Sequence, residues 1–248
     1  MEMPLSVRHS VAFICTADLT EGDAKSLPER KDFMTDEEKI NEQLLASVSG
    51  RAARSHEFVP VELPRPELDD RTSVMKALRK RKTTREISER KLSLRIISNL
   101  LWAACGVNRK KGPFEIPGRT AASASNSQEI HVYVLTKDGV YLYDPFRHLL
   151  DPVLQADLRP IAINPGQASL AVKAPFHLIY VADIDRLVNT AGYPEPGLHD
   201  PEVQKSYYFV DTGMIAANVY LFAASHGLAG RWFQRCGVCP GELMAGVP

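Results

Sequence analysis

Two polar stretches hold the residue types that could do chemistry. The first is Arg81-Lys82-Thr83-Thr84-Arg85. Arginine offers a planar fork of donors that meets a phosphate in bidentate fashion, and threonine adds a hydroxyl donor. Lining a cleft, such a run is an anion clamp. Facing solvent, it is only a basic helix end, where Lys and Arg favour the C-terminal dipole. The second stretch is Gly118-Arg119-Thr120-Ala121-Ala122-Ser123-Ala124-Ser125-Asn126-Ser127-Gln128, which runs straight into the apolar segment from Ile130. Its small residues let a flat ligand approach the backbone. Asn126 and Gln128 offer donor and acceptor together, which suits the alternating edge of a heteroaromatic ring. The competing reading is an ordinary polar loop.

The elements that must position these stretches follow from periodicity. Met75 and Leu78 share one face of a short helix that ends in the basic run. A stronger helix begins near Ser93, with Ile97, Leu100, Leu101 and Ala104 at helical spacing and Gly106 as its stop. Ile130–Leu135, the turn Lys137-Asp138-Gly139 and Val140–Tyr143 read as a hairpin. Leu178–Ala182 is apolar throughout and reads as a central strand. Asp211–Ser225 reads as a helix apolar on nearly every face, which needs cover all round. Before residue 72 the chain is charged and broken by proline. Thr35 to Glu38 forms a capping box for a helix through Val48, and Val59 to Pro66 reads as an extended strap.

Composition narrows the functional classes. Thirty basic and thirty acidic side chains in 248 residues leave no net charge, which argues against a nucleic-acid binder. No apolar run reaches the ~20 residues needed to cross a bilayer. Four cysteines are too few for a disulfide scaffold, so a reducing, cytoplasmic setting is expected, with export as the weaker alternative. Cys236-Gly237-Val238-Cys239 lacks the strand-then-helix setting of a redox pair and has no second ligand pair for zinc. His131, His177 and His226 read as structural or solvated, not catalytic.

The two polar stretches, with an amphipathic helix between them, together resemble the nitroreductase family, which pairs a basic R-x-S/T-x-R/K cluster with a P-S-x-x-N-x-Q loop. The late helix with Asp211, Gly213 and Asn218, followed by Ala224-Ser225-His226-Gly227-Leu228, is also similar. Gln128-Glu129-Ile130 and Tyr141-Leu142-Tyr143-Asp144 resemble the branch of thiazoline and oxazoline oxidases.

The resemblance implies an α+β, nitroreductase-like fold: a mainly antiparallel sheet flanked by helices, paired as a homodimer. It implies an FMN-dependent oxidoreductase, with NAD(P)H or an organic substrate as donor and a small molecule or peptide as substrate. No nucleic-acid or membrane partner is expected. Arg81, Lys82, Thr83 and Arg85 would hold the flavin phosphate, ribityl chain and ring edge, with Arg85 near the N1 and O2 edge. Ser123, Ala124, Asn126 and Gln128 would line the ring or the neighbouring subunit's flavin, and Pro165-Gly166-Gln167 could cover it. No side chain is expected to act as a catalytic acid or base, and no metal site is expected. The organisation implied is an extension over residues 1–72, a flavin domain over 73–235 and an atypical tail over 236–248. Ala122 replaces a common proline. From Trp232 onward no clear strand is expected, and the tail departs from the family as if truncated or altered. The alternative reading is a degenerate flavin-fold protein or a non-catalytic partner subunit of a peptide-modification complex.

Overall fold

The computed structural model describes residues 7–17, 58–68, 72–84, 87–162, 173–190 and 196–234. The helix expected after Thr35, Arg85, the Pro165-Gly166-Gln167 segment and the Cys236–Cys239 pair lie outside the described residues. The fold is α+β, and every pairing recorded in its main sheet is antiparallel. That sheet has seven strands in the order β2-β7-β6-β5-β8-β1-β9. They are β1 (Val7–Ala17), β2 (Val61–Glu62), β5 (Ile130–Leu135), β6 (Val140–Asp144), β7 (Leu149–Leu154), β8 (Phe176–Asp183) and β9 (Leu228–Gln234). The short strands β3 (Val107–Arg109) and β4 (Gly118–Arg119) pair separately.

β8 sits between β5 and β1. Phe176, Leu178 and Tyr180 on one face, and His177 and Val181 on the other, are buried, so the strand is covered on both faces. The hairpin forms as the Asp138-Gly139 turn implies, with Tyr133 opposite Leu142 and Thr136 N donating to Gly139 O at 2.9 Å. β1 lies inside the sheet between β8 and β9. The expected boundary at residue 72 therefore does not mark an edge of the sheet.

Four α-helices are described: α1 (Val74–Lys80), α2 (Leu94–Cys105), α3 (Ile184–Val188) and α4 (Pro201–Ser225). α2 is capped by Ser93, whose Oγ accepts from Ile96 N at 3.3 Å, and it buries Leu100, Leu101 and Ala104 completely. Its stop, Gly106, has φ of −68°, so left-handed freedom is not the reason for glycine there. A Cβ at Gly106 would lie 2.4 Å from Trp102 Cδ1. The proline-rich strap is extended as expected, and α2 ties it down: Ser98 Oγ donates to Pro64 O, and Asn99 Oδ1 accepts from Glu67 N at 3.0 Å.

α4 is one helix of 25 residues, longer at its N-terminal end than Asp211–Ser225. Asp200 caps it through Glu202 N at 2.9 Å, and Gly227 leaves it in the left-handed conformation with φ of 68°. Its buried stripe runs through Tyr208, Ile215, Val219 and Ala223, while Phe209, Val210 and Met214 are exposed. Met75 and Leu78 share a face of α1 as expected; that face points outward, and Ala77 is the residue the helix buries. One expectation needs correction: Trp232, Phe233 and Gln234 do lie in a strand, because β9 completes the sheet edge against β1.

Candidate functional site

The basic run leaves α1 and lies against the end of α4 and β9. Thr84 N donates to Gly230 O at 3.1 Å. Thr83 Oγ1 lies 3.3 Å from Tyr220 Oη, and that oxygen also accepts from Trp232 N at 3.0 Å. The Arg81 guanidinium sits 5.7 Å over the Tyr220 ring. Arg81, Lys82 and Thr83 are exposed, and neither cation has an ion pair among the described residues. Beside them Thr84 Oγ1 is buried without a hydrogen-bond partner. Two uncompensated cations beside an orphan hydroxyl fit a phosphate group.

The second stretch closes on itself. Ser123 Oγ accepts from Gln128 N at 3.0 Å. Gln128 Nε2 donates to Pro117 O at 2.6 Å and to Asn126 Oδ1 at 2.9 Å, while Asn126 Nδ2 donates to Ile116 O at 3.3 Å. Gln128 is thus buried and spends its donors on the loop, leaving Oε1 without a partner. Ser125, Asn126 and Gln128 all have positive φ, of 45°, 57° and 53°. Such backbone costs about 1–3 kcal/mol per residue, collects at functional sites, and persists here because the hydrogen bonds over-determine it.

The loop is anchored from behind by a carboxyl pair that the spacing of residues did not reveal. Ala124 N donates to Asp211 Oδ2 at 2.8 Å. Glu129, fully buried, accepts from Ser127 Oγ at 2.6 Å on Oε2, while its Oε1 has no donor. Burial first, and then the neighbouring Glu129, push the Asp211 carboxyl up to about 7. A proton on Asp211 supplies the donor that Glu129 Oε1 otherwise lacks. An acid on a helix that is otherwise apolar here was the available signal for Asp211. Nothing near Glu129 in sequence pointed to its partner.

The two stretches attach to opposite faces of α4. Asp211 holds the loop and Tyr220 holds the basic run, nine residues further on (211 to 220). At about 100° per residue that is two and a half turns, so the anchors point half a turn apart and lie about 13 Å apart along the axis. Ser123, Ala124, Asn126 and Gln128 are brought together with one another, and so are Arg81, Lys82 and Thr83. The two groups do not share one face within a single chain. Among the described residues, no cluster of His, Cys, Asp or Glu could hold a metal ion, and no helix is long and apolar enough to cross a membrane.

Residues 78–234 match the model of the nitroreductase family, and the chain belongs to that family. MJ1384, a nitroreductase homologue of Methanocaldococcus jannaschii, is 30% identical over 175 residues, covering 68% of this chain and 81% of that protein. The crystal structure of a nitroreductase homologue from Ralstonia eutropha JMP134 superposes with a TM-score of 0.57 at 33% identity, over 71% of this chain and 77% of that one. The Escherichia coli microcin synthetase McbBCD complex with truncated pro-MccB17 bound aligns with a TM-score of 0.41 at 17% identity, over 84% of this chain and 71% of that one, and is too distant to bear on activity.

Proposed function

We propose that the chain is an FMN-dependent oxidoreductase working in two half-reactions. The observation that carries this reading is the pair of exposed, uncompensated cations Arg81 and Lys82 beside the buried, unpartnered hydroxyl of Thr84. They form a phosphate clamp without the glycine-rich turn that usually cradles a dinucleotide. Thr83 adds a hydroxyl already placed by Tyr220, and Arg85 is expected to extend the clamp toward the ring edge. When bound, the flavin supplies electron transfer between a reduced nicotinamide or organic donor and a second acceptor. The protein holds, orients and screens it from water.

The opposite-face arrangement on α4 supports a division of labour between subunits. The clamp of one chain holds the phosphate, and Ser123, Ala124 and Asn126 of a second chain face the ring. The exposed side chains of Val74, Met75 and Leu78 on α1 and of Phe209, Val210 and Met214 on α4 supply the apolar face for that homodimer. To test the cofactor, heat releases whatever the purified chain retains, and mass spectrometry identifies it. FMN is expected. Recovery of FAD, or no flavin after reconstitution with excess FMN, would contradict the reading.

A further inference from the structure

Arg119, on β4, belongs to the second stretch but takes no part in the hydrogen bonds that close its loop. Its side chain is 9% exposed, its Nε is buried without a partner, and among the described residues its guanidinium makes no hydrogen bond or ion pair. Its one recorded contact is with the Phe146 ring, 5.3 Å from the guanidinium carbon. Among the groups around it only the Asp144 carboxylate opposes its charge, and Arg147 already holds that carboxylate. The Cys105 thiol is pushed up to about 11 by burial and stays protonated, and burial likewise holds the Tyr143 phenol neutral. Asp144 accepts from Phe146 N, Arg147 N and Arg147 Nε at 2.8, 2.9 and 2.6 Å, and Asp151 is bridged by the same Arg147. The nearby Arg186 donates from Nε to Ser127 O at 3.0 Å and repels Arg119. A buried, unpaired charge beside a second cation is costly unless something else compensates it.

The guanidinium opens onto a pocket of about 190 Å³ at the end of β5 and β6, with Arg186, His131 and the Arg147-bridged carboxylates of Asp144 and Asp151 also on its wall. That volume equals roughly six water molecules at ~30 Å³ each. Ile130, Val132, Leu142 and Phe146 give it apolar walls. Gln128, another lining residue, has a buried Oε1 without a hydrogen-bond partner. The pocket is separate from the Arg81 clamp.

We propose that this pocket binds the carboxylate of a small organic acid, its oxygens on the Arg119 fork and its carbon body against Ile130, Val132, Leu142 and Phe146. The planar guanidinium suits a carboxylate, and the apolar walls favour an organic acid over inorganic phosphate. The site stands whether or not the chain binds flavin.

The test is calorimetric titration of the full chain, flavin-free and after incubation with FMN, with sodium benzoate, sodium acetate, inorganic phosphate and the neutral isostere benzamide. Melting curves accompany each. Benzoate should bind saturably and raise the melting temperature in both preparations, and benzamide should bind at least about tenfold more weakly, the least that losing a charge-assisted hydrogen bond costs. Arg119→Met should melt at least as high as the native chain without added acid, because it removes a buried unpaired charge, and should lose the benzoate response. Arg119→Lys should retain only part of it. The proposal is overturned if Arg119→Met still titrates with benzoate, which would place the acid elsewhere, or if it melts lower without acid, which would give the guanidinium a structural partner. Binding of phosphate alone, equal binding of benzamide, or no binding of either carboxylate also overturns it.

Discussion

Replacing Asp211 with Asn isolates the buried carboxyl pair behind the Ser123–Gln128 loop. Asp211 Oδ2 accepts from Ala124 N, and its proton is the donor available to Glu129 Oε1. Asparagine reproduces both: its carbonyl takes the Ala124 N–H and its amide donates to Glu129, with no charge to lose. In the native chain the Asp211 carboxyl is raised, to about 7 from an ordinary value near 3.8. The folded state therefore holds a proton that the unfolded state has released across that window. The stability this proton confers is complete below the unfolded value and is lost as pH rises through the folded one. At 1.36 kcal/mol per pH unit, the native chain should lose up to about 3 kcal/mol between about pH 5 and pH 8 from this group. Asp183, held low chiefly by the His131 side chain, gives the opposite slope only in the acid range and is common to both proteins. Urea unfolding of native and Asp211→Asn chains at the two pH values gives the difference directly. The variant should lack that loss, so its advantage over the native chain should grow by up to about 3 kcal/mol from pH 5 to pH 8. An equal loss in the variant, or a constant difference between the two, would refute the shared-proton account.

Arg81→Ala should weaken FMN binding by roughly 1.5–3 kcal/mol, the range for a hydrogen bond to a charged group, and Arg81→Lys should restore only part of it; flavin-fluorescence titration reads both, and unchanged affinity in the Ala variant would remove Arg81 from the clamp. Gly106→Ala should cost about 1–3 kcal/mol in urea unfolding, because its Cβ would stand 2.4 Å from Trp102 Cδ1, and a neutral result would mean that the end of α2 gives way freely. Val210→Glu, placed on the exposed apolar face of α4, should convert the expected dimer to monomer by light scattering at micromolar concentration; a dimer that persists unchanged puts the interface elsewhere.

Local periodicity made part of this fold legible. α2 repeats its apolar residues at helical spacing, the β5–β6 hairpin is marked by its Asp138-Gly139 turn and β8 by an unbroken apolar run, and each buries most of the positions so picked out. β7 and β9 carry no such pattern. Pro152 and Asp151 break the first, and Gly230 with Arg231 the second, so their place in the sheet comes from partners and not from pattern. The strand that covers β9 is β1, from the opposite end of the chain. Met75 and Leu78 show that spacing gives a shared face but not what lies against it.

The site divides in the same way. Residue types named the Arg81 clamp and the Ser123–Gln128 loop, because donors for an anion and a small-residue loop are local properties. That Gln128 turns inward, that Asp211 meets Glu129 and that Arg119 lacks a counterion depend on contacts between distant segments.

The central claim is that this nitroreductase-family chain takes up FMN and passes electrons through it. The visible spectrum of the purified full chain, recorded without oxygen before and after adding excess FMN, removing what stays free, and adding a reduced nicotinamide, tests it in one cuvette. The account predicts a yellow protein whose colour bleaches on reduction and returns with an electron acceptor. A chain that stays colourless after incubation with FMN would contradict it.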